Sequence, residues 1–447
     1  MGSEKPRIVL LKNLLSEELD IPNYQRPYRW STESTLILFN DLYLAYKAHT
    51  PEYRIGSIVL YHDQTKNKYY VVDGQQRVTT ISILFYCLSK VTGVDTYKNY
   101  SKLLTRKEAY NELSSKAIIE NQKILETKCK QLEKEQEIEA FVQYILESCT
   151  LVRICTENEQ EAFQFFDSQN SRGKPLSPHD LLKSYHLREM NEESENTKVK
   201  IINDWENTDQ DELARLFENT LYPLVRWYKR QDGLYYSTKK IKTFKGIKQN
   251  NNYNFSIYHK AANLYIEHFN SDGMFELTNG EKIGQFQLTQ PLVSGRRFFL
   301  YTLHYYKLYN KVKALIYSKY SADDLLMYGT GNSYVRKLFI NGVLFFVDKF
   351  SLSALNDNYL DFFYKWSYSL RTVMHAVYKE TVNKYALGSL DRVNSGLNLF
   401  QRISEMQSPE EIETIILDTV DRAKLDTYKT TGYERIWKRL FEEEKND

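Results

Sequence analysis

The sequence predicts an α/β N-terminal domain followed by a mostly α-helical C-terminal domain, and three observations carry that reading. Short β-like runs alternate with helical spacing up to about residue 190, and helical spacing with few β-like alternations fills the rest. A chain of 447 residues also exceeds one compact core, at roughly 100 to 200 residues per domain. With 42% hydrophobic and 26% charged residues, 9 Pro and 17 Gly, the composition excludes global disorder, collagen-like repeats and linker-dominated architectures. Sixty Lys plus Arg against 58 Asp plus Glu leave a formal charge of +2. Any nucleic-acid surface therefore has to come from local clustering.

The first element is Ile21–Trp30, IPNYQRPYRW, where Pro22 and Pro27 forbid a helix and the alternation predicts an extended edge strand. Ser31 or Thr32 caps the helix that follows, with Glu33 in its first turn and Leu36, Phe39, Leu42, Leu44 and Tyr46 on its apolar face, through about Lys47. Ile55–Tyr61 and Lys68–Val72, either side of a polar turn, predict a hairpin. Across Asp73–Arg77, DGQQR, the pattern switches from strand to helix, because Val78, Ile81, Leu84, Phe85 and Leu88 recur at helical spacing.

From about 95 to 140 the mixed charges predict solvent-facing helices, read as an insertion. Leu151–Cys155 is strand-like, and the helical pattern of Ala162, Phe163, Phe165 and Phe166 ends at Gly173 and Pro175. Ser177 then caps a new helix, with Pro178 at its first position and Asp180 at its third. The polar stretch from Asn191 sets the boundary near 192, giving domains 1–192 and 193–447. In the second, Leu213–Tyr228, Phe298–Tyr317, Tyr359–Val382 and Pro409–Leu425 carry helical spacing.

The four cysteines, Cys87, Cys129, Cys149 and Cys155, form no CxxC pair and have no histidines at zinc-ligand spacing. Reduced thiols in a cytoplasmic protein fit best, and no metal-ligand set is expected. No run approaches the ~20 apolar residues of a membrane span.

DGQQR is the sharpest local feature. A strand feeding Gly74 into a helix start places free backbone N–H groups and the positive helix end at one point, where an anion is favoured. Arg77 could fork onto phosphate, Gln75 and Gln76 could orient a ribose, a base or a water, and Asp73 could accept a proton or hold a cation. Spacing alone leaves two readings, a phosphate or nucleotide site and a hydrogen-bonded turn that closes a strand–helix unit. Gln25, Arg26, Tyr28 and Arg29 divide likewise, between gripping phosphate and bracing an edge strand. Asn170, Arg172 and Lys183 could converge on an anion, while Asp180 reads as a first-turn dipole partner.

A basic tract lies in the second half. Between Tyr222 and Lys260 stand Arg226, Lys229, Arg230, Lys239, Lys240, Lys242, Lys245, Lys248 and Lys260, against the single acid Asp232. Trp227, Tyr235, Tyr236, Phe244, Tyr253 and Phe255 interleave with them, as expected where DNA phosphates are neutralised and bases stack. The alternative is a solvated, Lys-rich loop between helices.

Four motifs in order give a more specific signal: IPNYQRPYRW, GSIVL at Gly56–Leu60, VVDGQQRVTTISILF at Val71–Phe85, and AFQFFDSQNSRGKPLSPHDLLKS at Ala162–Ser184. Together they resemble the DGQQR domain of GmrSD-type modification-dependent restriction proteins, of the ParB/sulfiredoxin-like class, over about residues 8–190. GRRFFLY at Gly295–Tyr301 and NSGLNLFQRI at Asn394–Ile403 resemble segments of the helical region that follows this domain in relatives. The resemblance implies a ParB-like N-terminal fold that binds and hydrolyses a nucleoside triphosphate of unspecified base, with Mg2+ held open as its companion ion. It implies coupling to DNA recognition or cleavage in defence against phage. It places Asp73, Gln75, Gln76 and Arg77 as catalytic, and Gln25, Arg26, Gly74, Asn170, Arg172 and Lys183 as nucleotide contacts.

DNA and a separately encoded nuclease or effector are the expected partners, with a homo-oligomer left open and no membrane. Full-length relatives commonly end in an HNH nuclease domain, which needs a histidine beside a metal with further ligands. Only His259, His268, His304 and His375 lie beyond residue 192, each isolated, so an HNH centre is not expected. Two rival readings stand beside the hydrolase. One is a non-enzymatic nucleotide-binding switch or DNA sensor that signals to a separate effector, and the other is a DNA nickase that uses the DGQQR domain itself.

Overall fold

A computed structural model of the chain describes residues 6–22, 25, 27–105, 112–158, 161–162, 177–190, 193–272 and 282–442. The chain divides into two compact units, Met1–Leu176 with Glu192–Asn207, and Ser177–Asn191 with Thr208–Asp447. The N-terminal part is α/β and the C-terminal part is mostly helical.

In the first unit β1 (Arg7–Leu10), α1 (Leu11–Leu15), β2 (Leu19–Asp20), α2 (Thr32–Lys47), β3 (Tyr53–Asp63), β4 (Lys68–Asp73) and α3 (Gln75–Thr92) follow in order. A 3₁₀ stretch (Asp95–Thr105), α4 (Glu112–Lys134), α5 (Ile138–Glu147) and β5 (Cys149–Thr156) come next. The five strands form one mixed sheet in the order β1-β5-β3-β4-β2. β3 pairs antiparallel with β4 as the expected hairpin, and parallel with β5. α2 is capped by Ser31, whose hydroxyl accepts from the Ser34 N–H at 3.2 Å.

One face of the sheet carries the core, where Ile58, Leu60, Val71 and Leu151 meet Leu14, Leu42, Val78, Ile81, Phe85, Phe141 and Ile145 from the helices. Each fully buried aliphatic contributes roughly 1.5 to 3 kcal/mol. Strand alternation sends Val59, Val72 and Ile154 to the other face, where they form a small second cluster with Ala162.

Two expectations for this unit change. Residues 21, 22, 25 and 27–30 form no strand; side-chain hydrogen bonds hold this segment in place of a ladder. The mixed-charge stretch is not wholly solvent-facing, since α4 packs Leu125, Cys129 and Leu132 into the core. A stripe at intervals of four and three suffices for that inside a charged sequence. Of the helical pattern at Ala162–Phe166, only Ala162 lies within the described residues.

The chain next enters the second unit as α6 (Pro178–Arg188), returns to the first as α7 (Glu195–Glu206), and then stays in the second. Ser177 caps α6 by accepting from the Asp180 N–H, with Pro178 in the first turn. α8 (Gln210–Leu216) runs through a π turn (Phe217–Leu221) into α9 (Tyr222–Trp227), and α10 (Asn254–Asp272), α11 (Arg296–Lys319), α12 (Thr330–Phe350) and α13 (Asp357–Val373) follow. α14 (Lys379–Ala386), α15 (Leu399–Glu405), α16 (Ala423–Thr427) and α17 (Glu434–Phe441) end the series. Gly342 lets α12 and α13 close up, since a β-carbon there would meet the Phe363 ring at 3.0 Å. Tyr359–Val382 is not one helix: it breaks after Val373, where Arg371 Nη1 donates to the His375 carbonyl at 3.1 Å. Pro409–Leu425 holds only a 3₁₀ turn, Pro409–Thr414, and the start of α16.

His186 anchors the helical core. Gly295 N–H donates to its Nδ1 at 3.1 Å, so the proton sits on Nε2, which donates to the Phe244 carbonyl at 2.9 Å. Burial holds its pKa down to about 3. All four cysteines are buried and free of disulfides, and burial pushes the Cys87 and Cys149 thiols up to about 12. No helix among the described residues is long and apolar enough to cross a membrane.

Candidate functional site

The turn after β4 is built as the sequence predicts. Gly74 sits in the left-handed region at φ 93° and precedes α3 as its N-cap, with no side chain closing the helix end. A β-carbon there would lie 3.2 Å from the Ser57 carbonyl oxygen, so glycine serves both the conformation and the close approach. Among the described residues the N–H groups of Gln75, Gln76 and Arg77 find no acceptor, and they point along the positive end of the helix dipole. Asp73 ends β4 half-buried beside them.

The side chains divide into two groups. Gln76 clamps the preceding segment: its Oε1 accepts from the Arg29 N–H at 2.9 Å and its Nε2 donates to the Pro27 carbonyl at 3.2 Å. Arg77 turns back onto β3, donating from Nη1 to the Ile55 carbonyl at 3.3 Å and from Nη2 to the Ser57 carbonyl at 2.8 Å. It makes no ion pair among the described residues; burial pulls its pKa down while Asp73 works against that shift. A guanidinium satisfied only by carbonyls keeps its full charge beside an open helix end. Gln75 is buried, at 6% exposure.

A second layer fixes the first. Gln25 Nε2 donates to the Val72 carbonyl at 2.7 Å. Tyr28, fully buried, shares a hydrogen bond of 2.7 Å with Thr80 and accepts from Asn121 at 3.1 Å, while Asn121 also donates to the Trp30 carbonyl at 2.7 Å. Arg29 pairs with Glu206 of α7 at 2.9 Å. Arg26, Asn170 and Arg172 lie outside the described residues. Lys183 is a buried residue of α6, in the second unit.

Sequence reasoning missed Gly56 and Asn121, and with Asn121 the buried partner of Tyr28. For Gly56 a signal existed: a glycine inside a strand pattern marks a bulge or a close backbone approach. β3 does shift register against β5 between Arg54 and Gly56. Tyr28 and Asn121 meet across more than 90 residues of chain, which leaves no local trace.

The basic tract is partly internal. Arg226 Nε donates to the Asp232 carbonyl at 2.9 Å, Lys240 donates to the Leu234 carbonyl at 2.6 Å, Lys245 lies over the Tyr185 ring, and Arg230 bonds Gln401. Trp227 and Phe244 are core residues. Lys229, Lys239, Lys242 and Lys248 are exposed, as are Tyr235, Tyr253 and Phe255. Among the described residues no group of three His, Cys, Asp or Glu could hold a metal ion.

Comparisons with known families match two consecutive stretches of the chain. Residues 10–187 match the family described as GmrSD restriction endonuclease, N-terminal domain, so the α/β part makes this a GmrSD-type protein. Residues 197–431 match a family of unknown function, DUF7834, over more than half of the chain, and the chain belongs to that family. Neither match is an HNH domain. A comparison with curated proteins gave no match. The GmrSD match points to a component of a restriction system.

Proposed function

We propose that the protein is a nucleotide-hydrolysing component of a prokaryotic DNA-restriction or anti-phage system, with the start of α3 as its triphosphate site. The observation that carries this reading is the open helix end: three N–H groups without acceptors among the described residues, a left-handed glycine ahead of them, and the Arg77 charge behind them. In this reading Asp73 and Gln75 face the chemistry, Asp73 as proton acceptor or cation ligand, while Gln76 and Arg77 position the turn. A lone carboxylate suits Mg2+, which keeps several waters and binds through one or two carboxylates plus substrate phosphates. The exposed Lys229, Lys239, Lys242 and Lys248 are the DNA contacts.

A nucleotide switch without turnover is the second reading, favoured by the commitment of Gln76 and Arg77 to protein carbonyls and amides. One experiment separates these from a nickase: incubation with each NTP, with and without plasmid DNA, measuring phosphate release and nicking together. Phosphate release lost in Asp73→Ala supports the hydrolase. Nucleotide binding without release supports the switch, and nicking that needs Asp73 supports the nickase. An Asp73→Ala protein that binds and hydrolyses at the parental rate overturns the site.

A further inference from the structure

A cavity of about 110 Å³ opens in the helical unit, walled by α8, the π turn, α11 and α12. Three lining side chains are cations: Arg215 on α8, Lys313 on α11 and Lys337 on α12. Among the described residues none of the three makes an ion pair. The one acid in the lining, Glu212, is exposed and accepts from the Tyr306 hydroxyl, and nearby Glu218 pairs with Lys379 at 2.8 Å. Three cations thus line the cavity against the one acid Glu212, which leaves its wall net positive.

The backbone aims these groups. Arg215 and Asn219 stand four apart along one helix line, and Tyr306, Tyr309, Asn310 and Lys313 follow at three- and four-residue steps on another, so each set shares a face. The first line enters the π turn at Phe217–Leu221, a widened coil found often at functional sites. The Tyr309 hydroxyl has no hydrogen-bond partner among the described residues, and burial pushes its pKa up to about 12, which keeps it a donor. Burial, and then Lys379, lower the pKa of half-buried Lys337. An anion in the cavity would accept from the Tyr309 hydroxyl and offset the shift at Lys337.

We propose that this cavity binds the phosphate group of a small phosphorylated molecule, with Arg215, Lys313 and Lys337 as its charge partners and Tyr309 as a hydrogen-bond donor. The volume is that of three to four waters at ~30 Å³ each, enough for one phosphate group. The organic remainder passes out beside Tyr306. Arg215 supplies the planar fork that phosphate oxygens accept from.

The test is titration calorimetry of the full chain with ribose 5-phosphate and with inorganic phosphate, repeated on Arg215→Gln, Lys337→Met and Lys307→Met, the last an exposed lysine of α11 outside the cavity. Binding should weaken at least about tenfold in Arg215→Gln and Lys337→Met, the size of one lost charge-assisted hydrogen bond, and stay parental in Lys307→Met. Either ligand bound this way supports the proposal, and the ratio of the two tells a phosphate ester from free phosphate as the source. Arg215 is exposed, so its variant reads out even if Lys337→Met folds poorly. Binding that is undetectable in the parental protein, or unchanged in Arg215→Gln, overturns it. Phosphate held at the start of α3 would not respond to either cavity variant, so the two sites are told apart.

Discussion

The guanidinium of Arg77 occupies the place where a side chain on Gly56 would begin: a β-carbon on Gly56 would come within 1.8 Å of Nη1. The residue after the turn and the bulge in the neighbouring strand are therefore one device. Gly56 sits at φ 139°, where L side chains are rare, and its missing side chain is the berth of the arginine.

Gly56→Ala is expected to cost about 1 to 3 kcal/mol or more, by overpacking and backbone strain together. Arg77→Ala loses charge-assisted bonds to two carbonyls, worth about 1.5 to 3 kcal/mol each. Because alanine at 56 evicts the arginine, the double variant should lose clearly less than the sum of the singles. Urea unfolding of the four proteins closes the cycle, and strict additivity would sink the coupling.

Tyr28→Phe strips a hydroxyl shared by Thr80 and Asn121 and takes one buried hydrogen bond from each, a loss of about 1 to 3 kcal/mol. Gln76→Ala should match or exceed it by releasing Pro27 and Arg29. Both are read by thermal melts beside NTP-binding titrations. Parental stability in both would mean that the Pro27–Trp30 segment is held by something other than this network.

DNA affinity should fall steeply with salt, and replacing Lys239, Lys242 and Lys248 by Gln should flatten the dependence by up to about 0.9 in log–log slope per phosphate contact removed. Lys240→Gln, already bonded to a carbonyl, should leave the slope alone. An unchanged slope in the triple variant returns the tract to a solvated loop.

His186 makes the helical unit acid-sensitive. Its folded pKa is depressed to about 3 from an ordinary 6.5, so the unfolded chain binds the extra proton. Stability from this group is complete above about pH 6.5 and drains as pH falls toward 3. His186→Gln, which keeps a donor and an acceptor but does not titrate, should show a flatter loss in denaturation midpoints between those limits. A wild-type-like acid profile in that variant would assign the sensitivity elsewhere.

How far the sequence could be read follows from where each signal lies. Ser31 and Ser177 announce their helices because a cap is a local bond across three residues. The turn at Gly74 was legible for the same reason. The direction of Arg77 was not: its acceptors lie on β3, about twenty residues back, and only the pairing of strands brings them within reach. The apparent edge strand at Ile21–Trp30 misled because its alternation is real while its hydrogen bonds go to Gln76, Ser114 and Asn121, far along the chain. The break near Met374 carries no proline or glycine, so helical spacing ran through it unmarked.

The three crossings of the chain, into the second unit at Ser177, back at Glu192 and out again at Thr208, bear on modularity. The family matches meet between 187 and 197, which invites recombination at that point. A graft made there would hand each recipient the wrong helix: the donor of the α/β part would bring α6 with its bare Leu182 and His186, and would leave behind Glu206, the counter-ion of Arg29. Partners for shuffling must therefore exchange residues 177–207 as an indivisible cassette, and lineages of this architecture should inherit both halves together or neither.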